Sequence, residues 1–426
     1  MSPRSLRVPG DKSLTQRAFI LAGLAEGGSR LRGVLCGADS RSTAAAVRAL
    51  GAGVPEVPSD GAEIRITGRG LGGWTSPAGP LDLGNSGTGS RLLLGALAGC
   101  GVSAVVTGDA SLRSRPMKRV TDPLSRMGAR FEWIEAEGRL PVRVTGGGLH
   151  SVDLDLPVAS AQVKSALLLA GLTGGVPVHL TEPDASRDHT ERMLTALGVR
   201  VLRHASGPGV RIELRDPPAS IPPLDLRIPG DPSSAAFFVL AALLGVAREV
   251  EIHDVGLNPT RTGGFELLER MGARVEFRVE SEEGGEPTGT IAAAASELTA
   301  IEVRGDEVVR AIDELPVIAV AAARAHGTTR IRGAGELRHK ETDRIRALVE
   351  NLRAVGVGCD EHPDGLDVTG TDAPLAGRVD AMDDHRIAMV FGVLAAEEGN
   401  AIEIAGGACV DVSFPGFWEI LGEVAR

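Results

Sequence analysis

One phrase returns along this chain and constrains its fold more than any other feature. A polar start leads into an apolar helix rich in Ala and Leu, then a glycine turn, then a short strand. Copies begin with DKSLTQRAFILAGL at Asp11, NSGTGSRLLLGALAG at Asn85, ASAQVKSALLLAGL at Ala159, DPSSAAFFVLAALLG at Asp231, DELPVIAVAAARAHG at Asp313 and DDHRIAMVFGVLAA at Asp383. Successive starts stand roughly 70–80 residues apart, a period too long for the usual solenoids. A helix that is apolar nearly all round must be buried. Between these helices a second phrase recurs, as LGAGV at Leu50, MGARF at Met127, LGVRV at Leu197, MGARV at Met271 and VGVGC at Val355. Its glycine suits the left-handed position that stops a helix. The two phrases together predict an α/β fold of six repeated βαβαββ units around buried helices.

Two near-copies, RVPGDKS from Arg7 and RIPGDPSS from Arg227, read as extended connectors punctuated by Pro and Gly. A chain of 426 residues suits two domains. Cutting at both connectors predicts one lobe from 1–10 with 231–426 and a second from 11–230, three units in each. The crossings near Pro9–Asp11 and Pro229–Asp231 then form a double-crossover hinge.

The polar residues collect at the helix starts. The first carries Lys12, Ser13 and Arg17, the second Asn85, Thr88 and Arg91, and the third Ser160 and Gln162. The fifth offers Asp313, and the sixth Asp384, His385 and Arg386. A helix N-terminus presents unpaired N–H groups and partial positive charge, which attract phosphate and carboxylate. Two further stretches add cations. SLRSRPMKR holds Arg113, Arg115, Lys118 and Arg119, and ELRHKETDR holds Lys340, Glu341 and Arg344. On a helix, Lys340 and Arg344 would share a face one turn apart. Taken singly, each residue also reads as an N-cap or a solvated surface charge. Their recurrence from unit to unit points to a trap for a polyanion.

A net charge of -11 disfavours nucleic acid or an anionic membrane as a partner. No apolar run is long enough to span a bilayer, and the N-terminus lacks a secretory pattern, so the expected location is cytoplasmic. Cys36, Cys100, Cys359 and Cys409 stand apart and read as reduced thiols, not as a zinc or redox site. GRGLGG at Gly68 fits a dinucleotide fingerprint by letters, yet it runs into Trp74–Pro77 instead of a helix. The expectation is chemistry with no metal and no cofactor.

GDKSLTQR, GNSGTGSR, SRP, SAQVKSALLLAGL, KETDR and DDHR stand in the order and context of the 5-enolpyruvylshikimate-3-phosphate synthases, and the chain resembles that family along essentially its whole length. SAQVKSA and NPTRTG look more like one bacterial branch than the enteric one. The resemblance implies a two-lobed enolpyruvyl-transferase architecture, with phosphoenolpyruvate and shikimate 3-phosphate as substrates. It further implies a monomer and a glyphosate target. It places Lys12, Ser13, Arg17, Ser160, Ala161, Gln162, Asp313 and Lys340 on shikimate 3-phosphate, with Arg187 as a weaker candidate. It places Lys12, Gly87, Arg115, Gln162, Arg344 and Arg386 on phosphoenolpyruvate. Asp313 is the implied base at the 5-hydroxyl, Glu341 the acid and base at the methylene carbon, and Lys12 a catalytic cation.

Three positions depart from the family pattern. Ala161 stands where a second serine is common, Val412 where some members carry a lysine, and Glu336 where others have asparagine. These departures leave glyphosate sensitivity open. A sister transferase acting on UDP-N-acetylglucosamine is the nearest rival, but the stretches that correspond to its Lys-Asn and loop cysteine read DKS and SLRSRPMKR here. A catalytically silent anion-binding relative is the other rival.

Overall fold

The structure is a computed structural model and describes residues 3–58, 61–207 and 209–426. Its elements are mixed α and β. The chain divides into two compact units, one of Met1–Pro9, Pro229–Ser281 and Pro287–Arg426, the other of Gly10–Ile228 with Glu282–Glu286. The sequence division placed its cuts one or two residues later and kept 282–286 with the C-terminal part. That short turn groups instead with the second unit, where Glu286 meets His189 at 2.8 Å and the Gly285 carbonyl accepts a bond from Arg192.

Six small sheets form among the described residues. In the second unit, strand Leu81–Asp82 runs parallel to Ser103–Thr107, which pairs antiparallel with Val142–Thr145, itself antiparallel to Arg130–Trp133. The same parallel, antiparallel, antiparallel order recurs in the sheet opened by Val152–Asp155 and Val178–Glu182. In the first unit it recurs again in the sheet opened by Glu302–Val303 and Thr328–Ile331. A parallel pair needs a crossover, and a buried helix supplies it each time.

The buried helices lie where the apolar phrases placed them. All twelve residues of Pro232–Leu243 are buried, as are all eight of Leu315–Ala322. In the second unit, Lys12–Leu24, Gly87–Gly99 and Ala161–Gly174 bury nearly every residue past the first turn. Close helix approach is visible at Gly95, where an added Cβ would lie 2.2 Å from the Ala166 carbonyl oxygen. The stopping glycines Gly51, Gly128, Gly198, Gly272 and Gly356 all have φ between 80° and 106°, a region that costs L side chains.

GRGLGG has a structural job. The amides of Gly68, Arg69 and Gly70 donate to the carbonyls of Gly27, Gly23 and Ala25, closing the C-terminal end of the Lys12–Leu24 helix. No helix among the described residues is long and apolar enough to cross a membrane.

Candidate active site

In the second unit, three helix starts are knitted together by their own side chains. Asp11 caps Lys12–Leu24 by accepting from the Leu14 amide, and Ser86 caps Gly87–Gly99 by accepting from the Gly89 amide. Gln16 then donates to the Ser86 hydroxyl at 2.9 Å, joining the first start to the second. Gln162 joins the second to the third, donating to Thr88 Oγ1 at 2.9 Å while its own oxygen accepts from Arg91 at 2.8 Å. Ser160 sits at the N-cap of Ala161–Gly174, half-buried, with its hydroxyl in no capping bond. The cap role that Ser160 would play in an ordinary helix is therefore not what holds it there.

Arg17 is buried beneath these starts. Its Nε donates to Thr190 Oγ1 at 2.8 Å, Nη2 to Ser165 Oγ at 3.1 Å and Nη1 to the Ser13 carbonyl at 3.0 Å. Burial pulls this guanidinium down to about 10, against the attraction of Asp11, Glu191 and Glu286. Arg187 pushes it the same way as burial, so two like charges have been brought near each other. Lys12 Nζ lies 3.2 Å from the Asp39 carboxylate.

The stretch SLRSRPMKR separates into two roles. Arg113 and Lys118 pair with Glu135 and Glu137 at the surface. Arg115 is 8% exposed, bonded to Asn85 and 3.3 Å from Ser111 Oγ. Gly87 lies against it. A Cβ there would stand 2.9 Å from Arg115 Nη1 and 3.0 Å from Arg91 Nη1, so the missing side chain lets two guanidiniums crowd one backbone position.

The first unit carries the second set. Asp313 lies in the turn between helices Asp306–Ala311 and Leu315–Ala322, with three cations facing its carboxylate. Lys340 Nζ and Arg344 Nη1 are each 3.6 Å away and Arg386 Nη2 is 3.8 Å away. Arg386 Nη1 also donates to the Asp313 carbonyl at 2.8 Å. Arg344 in turn donates to Glu341 at 2.6 Å and to Asp384 at 2.7 Å. Burial acts to lower Arg344, but Asp384 and Glu341 outweigh it and the pKa is raised. Burial, opposed by Asp313 and reinforced by Arg344, puts the Lys340 ammonium below the usual lysine range.

The helical reading of Lys340 and Glu341 needs correction. Gly335–His339 is a short 3-10 turn, and Arg344–Ala354 begins only at Arg344, capped by Asp343. Lys340 and Glu341 occupy the bend between them. The Asp343 cap starts a new helix there, and the bend turns both side chains toward Asp313 and Arg344.

This arrangement is two cation-rich groups, one in each unit, gathered from helix starts together with Arg115 at a helix end and Lys340 in a bend. Each can bind anionic oxygen, and the first-unit group also holds two carboxylates suited to proton transfer. The family model described as EPSP synthase (3-phosphoshikimate 1-carboxyvinyltransferase) matches residues 4–421. The chain belongs to the EPSP synthase family. A 3-phosphoshikimate 1-carboxyvinyltransferase from Citrifermentans bemidjiense is 44% identical over 421 residues, covering 99% of this chain and 96% of the relative. One from Desulfitobacterium hafniense is 45% identical over 423 residues, covering 99% and 95%. Among solved structures, the EPSP synthase of Acinetobacter baumannii aligns at TM-score 0.85 and 40% identity, covering 99% of this chain and 95% of its own. The enolpyruvyl transferase NikO of Streptomyces tendae, at TM-score 0.73 and 20% identity, shares the fold.

Within this EPSP synthase family member, the three departures have definite places. Ala161 opens its helix directly after Ser160. Glu336 lies in the 3-10 turn, close enough to Lys340 to favour its charge. Val412 ends a 3-10 turn and is half-buried.

Several supporting residues carried no role in the sequence reading. Ser165 and Thr190 orient Arg17, and Asp39 pairs with Lys12, while Asp384, read from sequence only as part of the sixth helix start, holds Arg344. Glu314, next to Asp313, bonds Ser233, which also accepts from the buried Arg261 at 2.9 Å. One signal was available for Lys164, a lysine inside an otherwise apolar helix phrase, since such a charge demands a buried partner.

Proposed function

We propose that this chain transfers the enolpyruvyl group of phosphoenolpyruvate to the 5-hydroxyl of shikimate 3-phosphate and releases phosphate, the shikimate-pathway reaction of its family. The observation that carries this reading is Asp313 facing Lys340, Arg344 and Arg386, with Glu341 bonded to Arg344.

Shikimate 3-phosphate is held by Lys12, Ser13, Arg17, Ser160, Ala161 and Gln162, with Arg187 near Arg17 on its phosphate and Asp313 and Lys340 as further ligands. The carboxylate and phosphate of phosphoenolpyruvate are held by Arg115, Arg344 and Arg386, with Lys12 and Gln162 contributing and Gly87 allowing close backbone approach. Asp313 takes the proton of the 5-hydroxyl as its oxygen bonds C2 of phosphoenolpyruvate, while Glu341 delivers a proton to C3. In the resulting tetrahedral intermediate, the C2–O bond to phosphate then breaks. Phosphate leaves with the electron pair and C3 returns a proton to Glu341. Fixed cations stabilise the charge that grows on the leaving phosphate. The reading requires both groups of residues to act on one substrate pair, with the crossings at Pro9–Asp11 and Pro229–Asp231 as the hinge. A cytoplasmic monomer fits the same reading.

Purified protein incubated with both substrates should release phosphate in proportion to the enolpyruvyl product. UDP-N-acetylglucosamine in place of shikimate 3-phosphate should give none. Phosphate release only with the UDP-sugar, or with neither acceptor, would overturn the proposal.

A further inference from the structure

One buried ion cluster in the second unit lies behind the proposed ligand positions, and the Lys164 amide donates to the Ser160 carbonyl at 3.0 Å. Lys164, in the first turn of Ala161–Gly174, lies 2.9 Å from Glu182 and 2.8 Å from Glu191, and all three side chains are at most 3% exposed. Burying an ammonium costs several kcal/mol unless it is paired, so the two carboxylates and the lysine require one another. They come from three elements. Glu182 ends strand Val178–Glu182, and Glu191 stands in helix His189–Ala196. Lys164 therefore fastens a helix start to a strand end and to a second helix.

Each member has a neighbour that faces the anion-binding wall. Beside Lys164 is Ser165, and beside Glu191 is Thr190. These two hydroxyls are 2.7 Å apart and together orient Arg17. Glu182 accepts from the Ser186 hydroxyl at 2.6 Å, and Lys164 Nζ lies 3.4 Å from the Ser186 carbonyl, fixing the segment that carries Arg187. Burial works against the charge on Lys164, but Glu191 and Glu182 overcome it and keep the ammonium charged. A buried ion triad adds little net stability over apolar groups of the same shape. What it supplies is a fixed spacing between the elements it joins.

We infer that Lys164, Glu182 and Glu191 are positioning residues for shikimate 3-phosphate, setting where Arg17 and Arg187 stand without contacting the ligand. The inference rests on the preceding assignment of that substrate to Arg17 and the third helix start.

Glu191→Gln is the informative variant, because it leaves Lys164 and Glu182 as a neutral pair. Calorimetry without phosphoenolpyruvate should show shikimate 3-phosphate binding about tenfold weaker, a usual size for coupling within one network. The KM for that substrate should rise with it, while kcat at saturation stays within about twofold. The uncharged isostere Lys164→Met/Glu182→Gln/Glu191→Gln should melt near the parent temperature and lose affinity further. A role confined to stability would lower the melting temperature and leave affinity unchanged in folded protein, which would overturn the inference. If the triple variant does not fold, Glu191→Gln decides alone. Arg17→Ala separates the two levels of the argument. Full affinity in Arg17→Ala sinks the site assignment, whereas weak binding there with full affinity in Glu191→Gln sinks only the triad.

Discussion

Arg344 Nε stands 2.7 Å from Asp384 Oδ2, a bond between residues 40 positions apart, with both side chains at most 1% exposed. Asp384 also caps its own helix by accepting from the Arg386 amide. One carboxylate thus sets the position of two of the arginines proposed to hold phosphoenolpyruvate. Asp384→Asn keeps the shape and the cap but removes the counter-charge. The KM for phosphoenolpyruvate should rise about tenfold or more, as expected when a buried charge loses its hydrogen-bonded partner. Steady-state kinetics with shikimate 3-phosphate saturating reads it, and an unchanged KM would show that Arg344 needs no such anchor.

Partial burial, with Arg344 nearby, lowers the pKa of Lys340 against the pull of Asp313, and this has a sign. Its charged form is lost at a lower pH than for an ordinary lysine, so activity that depends on the ammonium should fall on the alkaline side as pH rises. Lys340→Arg keeps a charge at high pH and should push that fall upward or remove it. A pH profile of kcat/KM for shikimate 3-phosphate, taken on both proteins, makes the comparison. Coincident alkaline limbs would assign the limb to another group.

Gly87→Ala tests the crowding at the second helix start. The added methyl meets only the flexible ends of Arg115 and Arg91, so the protein should fold. Those guanidiniums must shift, and the KM for phosphoenolpyruvate should rise by about tenfold while that for shikimate 3-phosphate changes little. A displaced charge-assisted bond is worth roughly this much. Equal effects on both substrates would argue that Gly87 supports the whole wall.

Turnover distinguishes the chemical residues from the binding ones. Lys12→Ala or Arg386→Ala should lower kcat by about 10²-fold or more without unfolding, the size seen when a preorganised donor is removed. Asp313→Ala should abolish turnover while shikimate 3-phosphate still binds. Near-normal rates in these variants would move the chemistry elsewhere.

The helices that start at Lys12, Gly87 and Ala161 were legible because their apolar run and polar start are local features, governed by burial and capping within one turn. The stopping glycines were legible for the same reason, since φ is a property of single residues. Family membership followed from short motifs in order. What the residues touch was not legible. Nothing in KETDR announces that Asp343 starts a new helix and leaves Lys340 and Glu341 in a bend. Nor does SAQVKSA say that Lys164 meets Glu182 and Glu191, or NPTRTG that Arg261 reaches Ser233 and Asp231. The sequence by itself determined which segments must be buried, where the apolar helices begin, and which reaction family the chain joins. Only the tertiary structure decided which buried charges neutralise one another. Ion pairing depends on distance in space, and folding sets that distance between residues whose separation along the chain carries no record of it.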